Sequence, residues 1–567
     1  MLKQYLLNNI NLFIIKICLV IISILVKYDC FGQQNNKRYV STTSGIVEGH
    51  ELEGLDVNEY LGIPYAEPPV GDLRFARPVP LSIRKNVTIG LKDRSEGVWC
   101  IQNASPLFKA ELGPIPESED CLHLNIWSPK QFHLYDGRPY NKLKSVIVVF
   151  HSGGFSTGSA YMETANGSQM ATRDVIVVSP NYRLGPLGFY MLDPGDDSAP
   201  GNVAFYDQLL ALRWIQDNIR SFGGDPNLVT IFGESAGSLS VSAHIISPVS
   251  RGLFKRAIMS SGALIYSKIS PTLNTSQALV MARKMATKNG CPENGSIVQC
   301  LRKINDTNKL LNIPDKLFDY SFTRPVEGTE FIPHLTNQAF KYSLFNPDID
   351  VLAGTVDDEG PAMALIMFPE ITEKNMTLDL YNQLLVKLKA KYHIKDMESI
   401  SKHYMIGIDS DDPKQLQRGF VNLLGDMMIT CPTYTFAKQL AINGENVFYF
   451  LFKYENYKNS YVNMSNSFGI GKRGAQHGSD GDFFIGKPLI DKQLYNNEEE
   501  YFSRKLLYLL TAFVKYGRPN NNWPRLMLPI NLNNDIQIKL LNINDTVTIL
   551  KSPYNETCEN VWKDYYM

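Results

Sequence analysis

Net charge is almost absent from this chain: 56 Lys and Arg face 57 Asp and Glu, leaving a formal charge of -1 over 567 residues. Partners held by electrostatics, whether nucleic acid or an anionic membrane surface, need a basic surplus, so neither is expected. Long apolar runs are also scarce. The one at residues 12–26 is interrupted by Lys16 and Ser23. It is short beside the roughly 20 residues of a membrane span, so stable membrane insertion is not expected. Pro/Ser/Gly-rich linkers, blocks of like charge, low-complexity tracts and internal repeats are missing. The chain is therefore read as one large unit, although length alone would suggest about three or four domains. Cysteine is sparse, at eight residues, and too widely spaced for a zinc cluster, so no metal site is expected. A small molecule is the expected partner.

Residues 12–26, followed by Lys27, Cys30 and Gly32, read as a signal peptide cleaved near Gly32. That leaves residues 33–567 as the mature domain of a secreted, extracellular protein. The last five residues, Lys563 to Met567, read as neither an anchor nor a retention signal. Without Cys18 and Cys30, six cysteines remain: Cys100, Cys121, Cys291, Cys300, Cys431 and Cys558. An even set in an oxidising compartment implies three disulfides, and spacing alone does not choose among the possible pairings. Sequons at Asn86, Asn103, Asn166, Asn274, Asn294, Asn305, Asn375, Asn463, Asn544 and Asn555 fit a glycosylated surface.

The stretch that organises the rest is Val229-Thr230-Ile231-Phe232-Gly233-Glu234-Ser235-Ala236-Gly237. A β-branched run enters Gly-x-Ser-x-Gly, the pattern of a strand that turns sharply into a helix with an exposed serine at the bend. Leu209, Leu210, Leu212, Trp214, Ile215 and Ile219 have helical spacing upstream, and Gly223-Gly224-Asp225-Pro226 ends that helix. Residues 236–246 read as a buried helix. The unbroken β-branched runs 146–150 and 175–178 read as buried strands, and residues 119–127 alternate like a half-buried one. Gly45 to Gly49 reads as a strand and turn. The proline-punctuated residues 62–75 read as an ordered surface loop.

After the strand at 146–150 comes His151-Ser152-Gly153-Gly154-Phe155. Paired glycines at a strand end can aim backbone N–H groups at a tetrahedral oxyanion without side-chain interference. A serine nucleophile also needs a general base and an orienting carboxylate. Five histidines follow Ser235. His244 falls one helix on and reads as core, His334 precedes the carboxylate candidates, and His393 and His403 lie in an amphipathic stretch. His477, between Gly474 and Gly478, is suited to presentation from a loop. Asp357, Asp358 and Glu359 follow the strand-like residues 350–355, and spacing alone does not select one of them.

These motifs, with Glu119-Asp120-Cys121-Leu122, Asn181-Tyr182-Arg183, Asp207-Gln208, Phe222-Gly223-Gly224-Asp225-Pro226 and Gly517-Arg518-Pro519-Asn520, resemble those of the type-B carboxylesterase and cholinesterase family. The resemblance runs from about Gly45 to Cys558. It implies an α/β-hydrolase fold, with a large, mostly parallel central sheet flanked by helices on both faces. It implies Ser235, Glu359 and His477 as catalytic residues, Gly153, Gly154 and Ala236 as oxyanion donors, and Glu234 as a supporting buried carboxylate. It further implies disulfides Cys100–Cys121, Cys291–Cys300 and Cys431–Cys558, ion pairs Arg74–Glu119 and Arg183–Asp207, and no cofactor. Ser152 stands where the family has a glycine, and Gly481 where an aliphatic residue is usual.

The expected activity is that of a secreted serine carboxylesterase working through an acyl-enzyme. A cholinesterase ranks second, because residues 101–120 hold Phe108 as their single aromatic and lack the tryptophan that would bind quaternary ammonium. A non-catalytic, neuroligin-like adhesion protein ranks last, since the serine, acid and base are all present. A monomer or weak homodimer is expected.

Overall fold

The computed structural model describes residues 37–566, apart from 83–86, 104–115, 131–141, 194–197, 266–271, 312–322, 369, 374, 456–457, 459–473, 528–535 and 545–547. The signal peptide, the Asn86 and Asn463 sequons and Phe108 lie outside the described residues.

Thirteen strands form the main sheet. In chain order they are β1 (Lys37–Thr42), β2 (Gly45–Leu52), β3 (Val57–Pro64), β4 (Thr88–Ile89), β5 (His123–Pro129), β6 (Lys144–Phe150) and β7 (Ile176–Pro180). There follow β8 (Gly224–Glu234), β9 (Arg256–Ser260), β10 (Asp350–Val356), β11 (Asn446–Phe452), β12 (Gln537–Leu541) and β13 (Ile549–Lys551). Their spatial order is β1-β2-β3-β5-β7-β6-β8-β9-β10-β11-β12-β13, with β4 beside β2. Every pair from β7 through β12 is parallel, and the sheet turns antiparallel at both edges.

The β-branched runs are continuous because each strand feeds two cores. In β6, Val146, Val148 and Phe150 enter one core while Ile147 and Val149 enter the other. A parallel sheet covered on both faces needs this pattern. The first core also takes Leu209, Leu212 and Ile215 of α1 (Val203–Asn218) and Val241 and Ile245 of α2 (Ala236–Ile246). Also on that side are α3 (Gly360–Met367), α4 (Pro413–Gly425) and α5 (Cys431–Ile442). The second core packs against α6 (Gly481–Ile485) and the long α7 (Asn497–Tyr516). Asn496 and Glu499 start α7 with a reciprocal capping box, and Gly517, at φ 72°, ends it. Among the described residues, no helix is long and apolar enough to cross a membrane.

Three readings of local sequence change. Residues 123–129 are buried on both faces rather than half-buried, because the Asn125 side chain is satisfied internally by Gly62 N and Ala160 O. No turn occurs at Gly49. The strand continues to Leu52, and glycine is needed there because a Cβ would fall 2.2 Å from the Tyr60 ring. The segment 62–75 is no surface loop throughout: Ile63 and Pro64 belong to β3, and Tyr65, Arg74 and Phe75 are buried.

The cysteines pair as Cys100–Cys121, Cys291–Cys300 and Cys431–Cys558. Asn166 is an unsuitable glycan acceptor, since it is buried and its amide donates to Glu163. Arg74 grips Glu119 through two nitrogens at 2.6 Å, and Arg183 grips Asp207 at 2.8 and 2.6 Å. The second pair ties α1 to the chain leaving β7 and is almost wholly excluded from water. Arg183→Leu strands the Asp207 charge and is expected to cost roughly 3–5 kcal/mol, while Arg183→Leu with Asp207→Leu recovers most of it. Urea midpoints of the two variants and the parent measure this.

Candidate active site

Four neighbouring strand ends converge where the parallel sheet opens, the position at which sheets of this kind bind ligands. The chain leaves β8 at Glu234 and enters α2 at Ala236, so Ser235 alone makes the bend, with φ 53° and ψ -121°. Two glycines permit it. A Cβ on Gly233 would lie 2.1 Å from the Gly237 carbonyl carbon, and one on Gly237 would lie 2.1 Å from Phe150 O. The bend is pinned from β9 by Ser235 N donating to Ser260 O at 2.9 Å.

His477 is the histidine brought to Ser235. Its Nε2 lies 2.8 Å from Ser235 Oγ and its Nδ1 2.6 Å from Glu359 Oε2. An ionised carboxylate only accepts, so Nδ1 carries a proton toward Glu359, and once the ring loses its second proton the Nε2 lone pair faces the hydroxyl. Glu359 follows β10, is 2% exposed, and accepts on its other oxygen from Ser261 Oγ at 2.7 Å and Val356 N at 3.0 Å. Its two neighbours have separate structural work. Asp357 accepts from Ala475 N at 2.8 Å, which fixes the histidine loop, and Asp358 pairs with Arg418 of α4. Burial pushes Asp357 up to about 6.

The remaining histidines after Ser235 stay outside the site. His244 is buried between Ser250 and Gln208, stacked on Phe150, and burial drives it down to about 3. His393 is the left-handed cap of one helix and His403 lies in the next, while His334 sits in a loop. His151, ahead of the paired glycines, stacks on Tyr182 and is held neutral by burial, down to about 4.

Gly153 and Gly154 have φ of 113° and 61°, and a Cβ on Gly153 would lie 2.1 Å from Thr157 O. Among the described residues, no carbonyl accepts the N–H groups of Gly153, Gly154 or Ala236. Those of Ser156 and Thr157 turn back onto Gly153 O, at 3.0 and 2.9 Å. The Gly237–Phe150 contact sets the start of α2 against the start of this loop.

Two side chains complete the setting. Glu234 places Oε1 3.3 Å from His477 Nε2, and its Oε2 accepts a hydrogen bond from Ser152 Oγ. Asp480, fully buried, accepts from Ser260 Oγ. Sequence reasoning missed Asp480, whose signal was its place three residues after His477. It also missed Ser260 and Ser261, which reach the site from β9 and leave no local pattern.

Burial is the strongest single influence on His477 and opposes its protonation. Glu234 and Glu359 together outweigh it and raise the imidazole to about 9. Burial raises Glu234, and burial with the Glu234 charge raises Asp480 to about 7.

Helices on both faces of a mostly parallel sheet, with a strained serine where a strand turns into a helix, define an α/β hydrolase. This chain belongs to the carboxylesterase family, whose model matches residues 36–562. Its relatives include an acetylcholinesterase of Bungarus fasciatus, 33% identical over 500 residues that cover 85% of this chain and 79% of that protein. A cholinesterase of Mus musculus is 32% identical over 523 residues, covering 87% of this chain and 82% of that protein. The protein is thus an ester hydrolase whose substrates are small-molecule esters.

The raised groups have a consequence for stability. His477, Glu234 and Asp480 all keep their protons to higher pH when folded, so the folded chain binds more protons and stability falls as pH rises. The contribution is complete below the unfolded values, about 4 for carboxyls and about 6.5 for imidazole. It is lost as pH passes about 7 for Asp480 and about 9 for His477. Urea unfolding between pH 6 and 9 is expected to show a shallower decline for Glu234→Gln and Asp480→Asn than for the parent. Parallel declines would remove this account.

Proposed function

We propose that Ser235, His477 and Glu359 form the catalytic triad of a secreted carboxylic ester hydrolase that works through an acyl-enzyme. The continuous hydrogen-bond chain, 2.8 Å from Ser235 Oγ to His477 Nε2 and 2.6 Å from Nδ1 to Glu359, is the observation that carries this reading. His477 Nε2 takes the hydroxyl proton as Oγ attacks the ester carbonyl. The N–H groups of Gly153, Gly154 and Ala236 hold the oxyanion, each such donor being worth roughly 100- to 1000-fold in rate. The imidazolium, stabilised by Glu359 and Glu234, returns the proton to the departing alcohol. Water attacks the acyl carbonyl, His477 again takes a proton, and collapse of the second intermediate releases the acid and restores Oγ–H. Secretion is supported by the apolar N-terminal run and by three disulfides.

Two substrate readings divide on particular observations. The aromatic-poor residues 101–120 favour neutral esters, whereas the names of both relatives point to choline esters. Hydrolysis of naphthyl acetate and acetylthiocholine by one preparation separates them, and a kcat/KM greater for acetylthiocholine decides for the second.

A fluorescent fluorophosphonate is expected to label Ser235 in the parent protein. Ser235→Ala should lose both labelling and at least about 10,000-fold in kcat, with an unchanged urea midpoint. Hydrolysis by Ser235→Ala near the parent rate would sink the assignment.

A further inference from the structure

Ser152 departs from the glycine usual in this family, and the structure shows what its side chain does. Oγ lies 3.0 Å from the Glu234 carbonyl oxygen and also hydrogen-bonds Glu234 Oε2. A hydroxyl has one proton to give, and a carboxylate is the stronger acceptor, so that proton belongs to Oε2. The other oxygen, Oε1, is buried without a hydrogen-bond partner and approaches His477 Nε2 at 3.3 Å. Ser152 has ordinary negative φ, so glycine's conformational freedom is not required at this position. With glycine here Oε2 would lose its donor, leaving the His477 charge to hold the carboxylate ionised without the Ser152 hydrogen bond.

We propose that Ser152 is a positioning residue of this esterase: it clamps one oxygen of Glu234, turns the other toward His477 Nε2, and so decides where the site's shared proton rests. Two arrangements with the same proton count compete. In one the imidazole is protonated and Glu234 ionised, and the base is blocked. In the other Glu234 holds the proton and the Nε2 lone pair is available. A hydrogen bond donated to Oε2 favours the first at rest. During reaction, the same bond keeps an anion beside the imidazolium that forms when Ser235 is deprotonated. Ser152 therefore raises the pH at which the base becomes available and strengthens the transition state once it is.

Other titratable groups face this pair: the Glu359 and Asp480 charges also raise His477, and the Glu359 charge raises Glu234. Glu359, after β10, occupies Nδ1, and Asp480, on the histidine loop, is held by Ser260. His151, beside Ser152, is kept neutral by burial. Tyr449 and Tyr554, which feel the Glu359 charge, are raised by burial and stay neutral.

The proposal rests on the triad reading. If that reading fails, the parent protein does not label with fluorophosphonate, and the proposal falls with it; every other outcome leaves Ser235 labelled. The test is the pH profile of kcat/KM on a neutral fluorogenic acetate for the parent, Ser152→Ala, Ser152→Thr, Glu234→Gln and the double variant Ser152→Ala with Glu234→Gln. For Ser152→Ala the acid limb should move roughly one pH unit lower, and the alkaline plateau should fall up to about tenfold. Ser152→Thr, which keeps the hydroxyl, should retain the parent limb. With Glu234→Gln in place, Ser152→Ala should shift nothing further. A Ser152→Ala limb coincident with the parent's, or a shift that persists beside Glu234→Gln, overturns the proposal. Should Ser152→Ala fold poorly, Ser152→Gly is read against the same two criteria.

Discussion

Backbone touching backbone, where no Cβ could intervene, is the constraint on which the site depends. Gly233 lies against Gly237 across the bend, and Gly237 lies against the last carbonyl of β6. The first contact lets one residue turn a strand into a helix. The second brings the start of that helix beside the end of β6, where the loop of Gly153 and Gly154 begins. The strain at Ser235 persists because β9 holds its N–H and two hydrophobic cores hold the strands on either side.

Around this frame the electrostatics are crowded. Glu234, Glu359 and Asp480 surround a single imidazole, each reaching it from a different strand end or loop. Buried carboxylates without partners would be costly, and each here has a donor: Ser152, Ser261 or Ser260. Three serine hydroxyls thus keep a cluster of like charges within the protein. The acidic run Asp357-Asp358-Glu359 divides its tasks in the same spirit, one residue fixing the histidine loop, one anchoring α4 and one meeting the ring.

Much of the fold was legible because its signals are local. Residues 236–246 and 146–150 carry their structure in unbroken apolar spacing, and the elbow is written in two glycines. The alternation at residues 119–127 misled because polarity was read as exposure, whereas Asn125 is a buried residue with both ends of its amide satisfied. Gly49 misled similarly: its lack of a side chain serves a close approach by Tyr60, not a turn. Within the site, sequence pattern reached the residues that sit in motifs. It missed Ser260, Ser261 and Asp480, whose meaning comes from strands being neighbours in space. The hydrogen bond between Ser152 and Glu234 spans 82 residues and could not be inferred from either end.

The Cys431–Cys558 bond closes 127 residues of chain that include β11, the His477 loop, α7, β12 and β13. Ser235 and Glu359 lie outside that covalent ring and His477 within it. A protease that cuts once inside the ring leaves two fragments still bonded, with the histidine anchored by α7 and the sheet. Reduction after such a cut removes the last covalent link to the part of the chain beyond it. Nicking or reduction alone leaves the C-terminal quarter covalently joined to the rest, and the two together break that join.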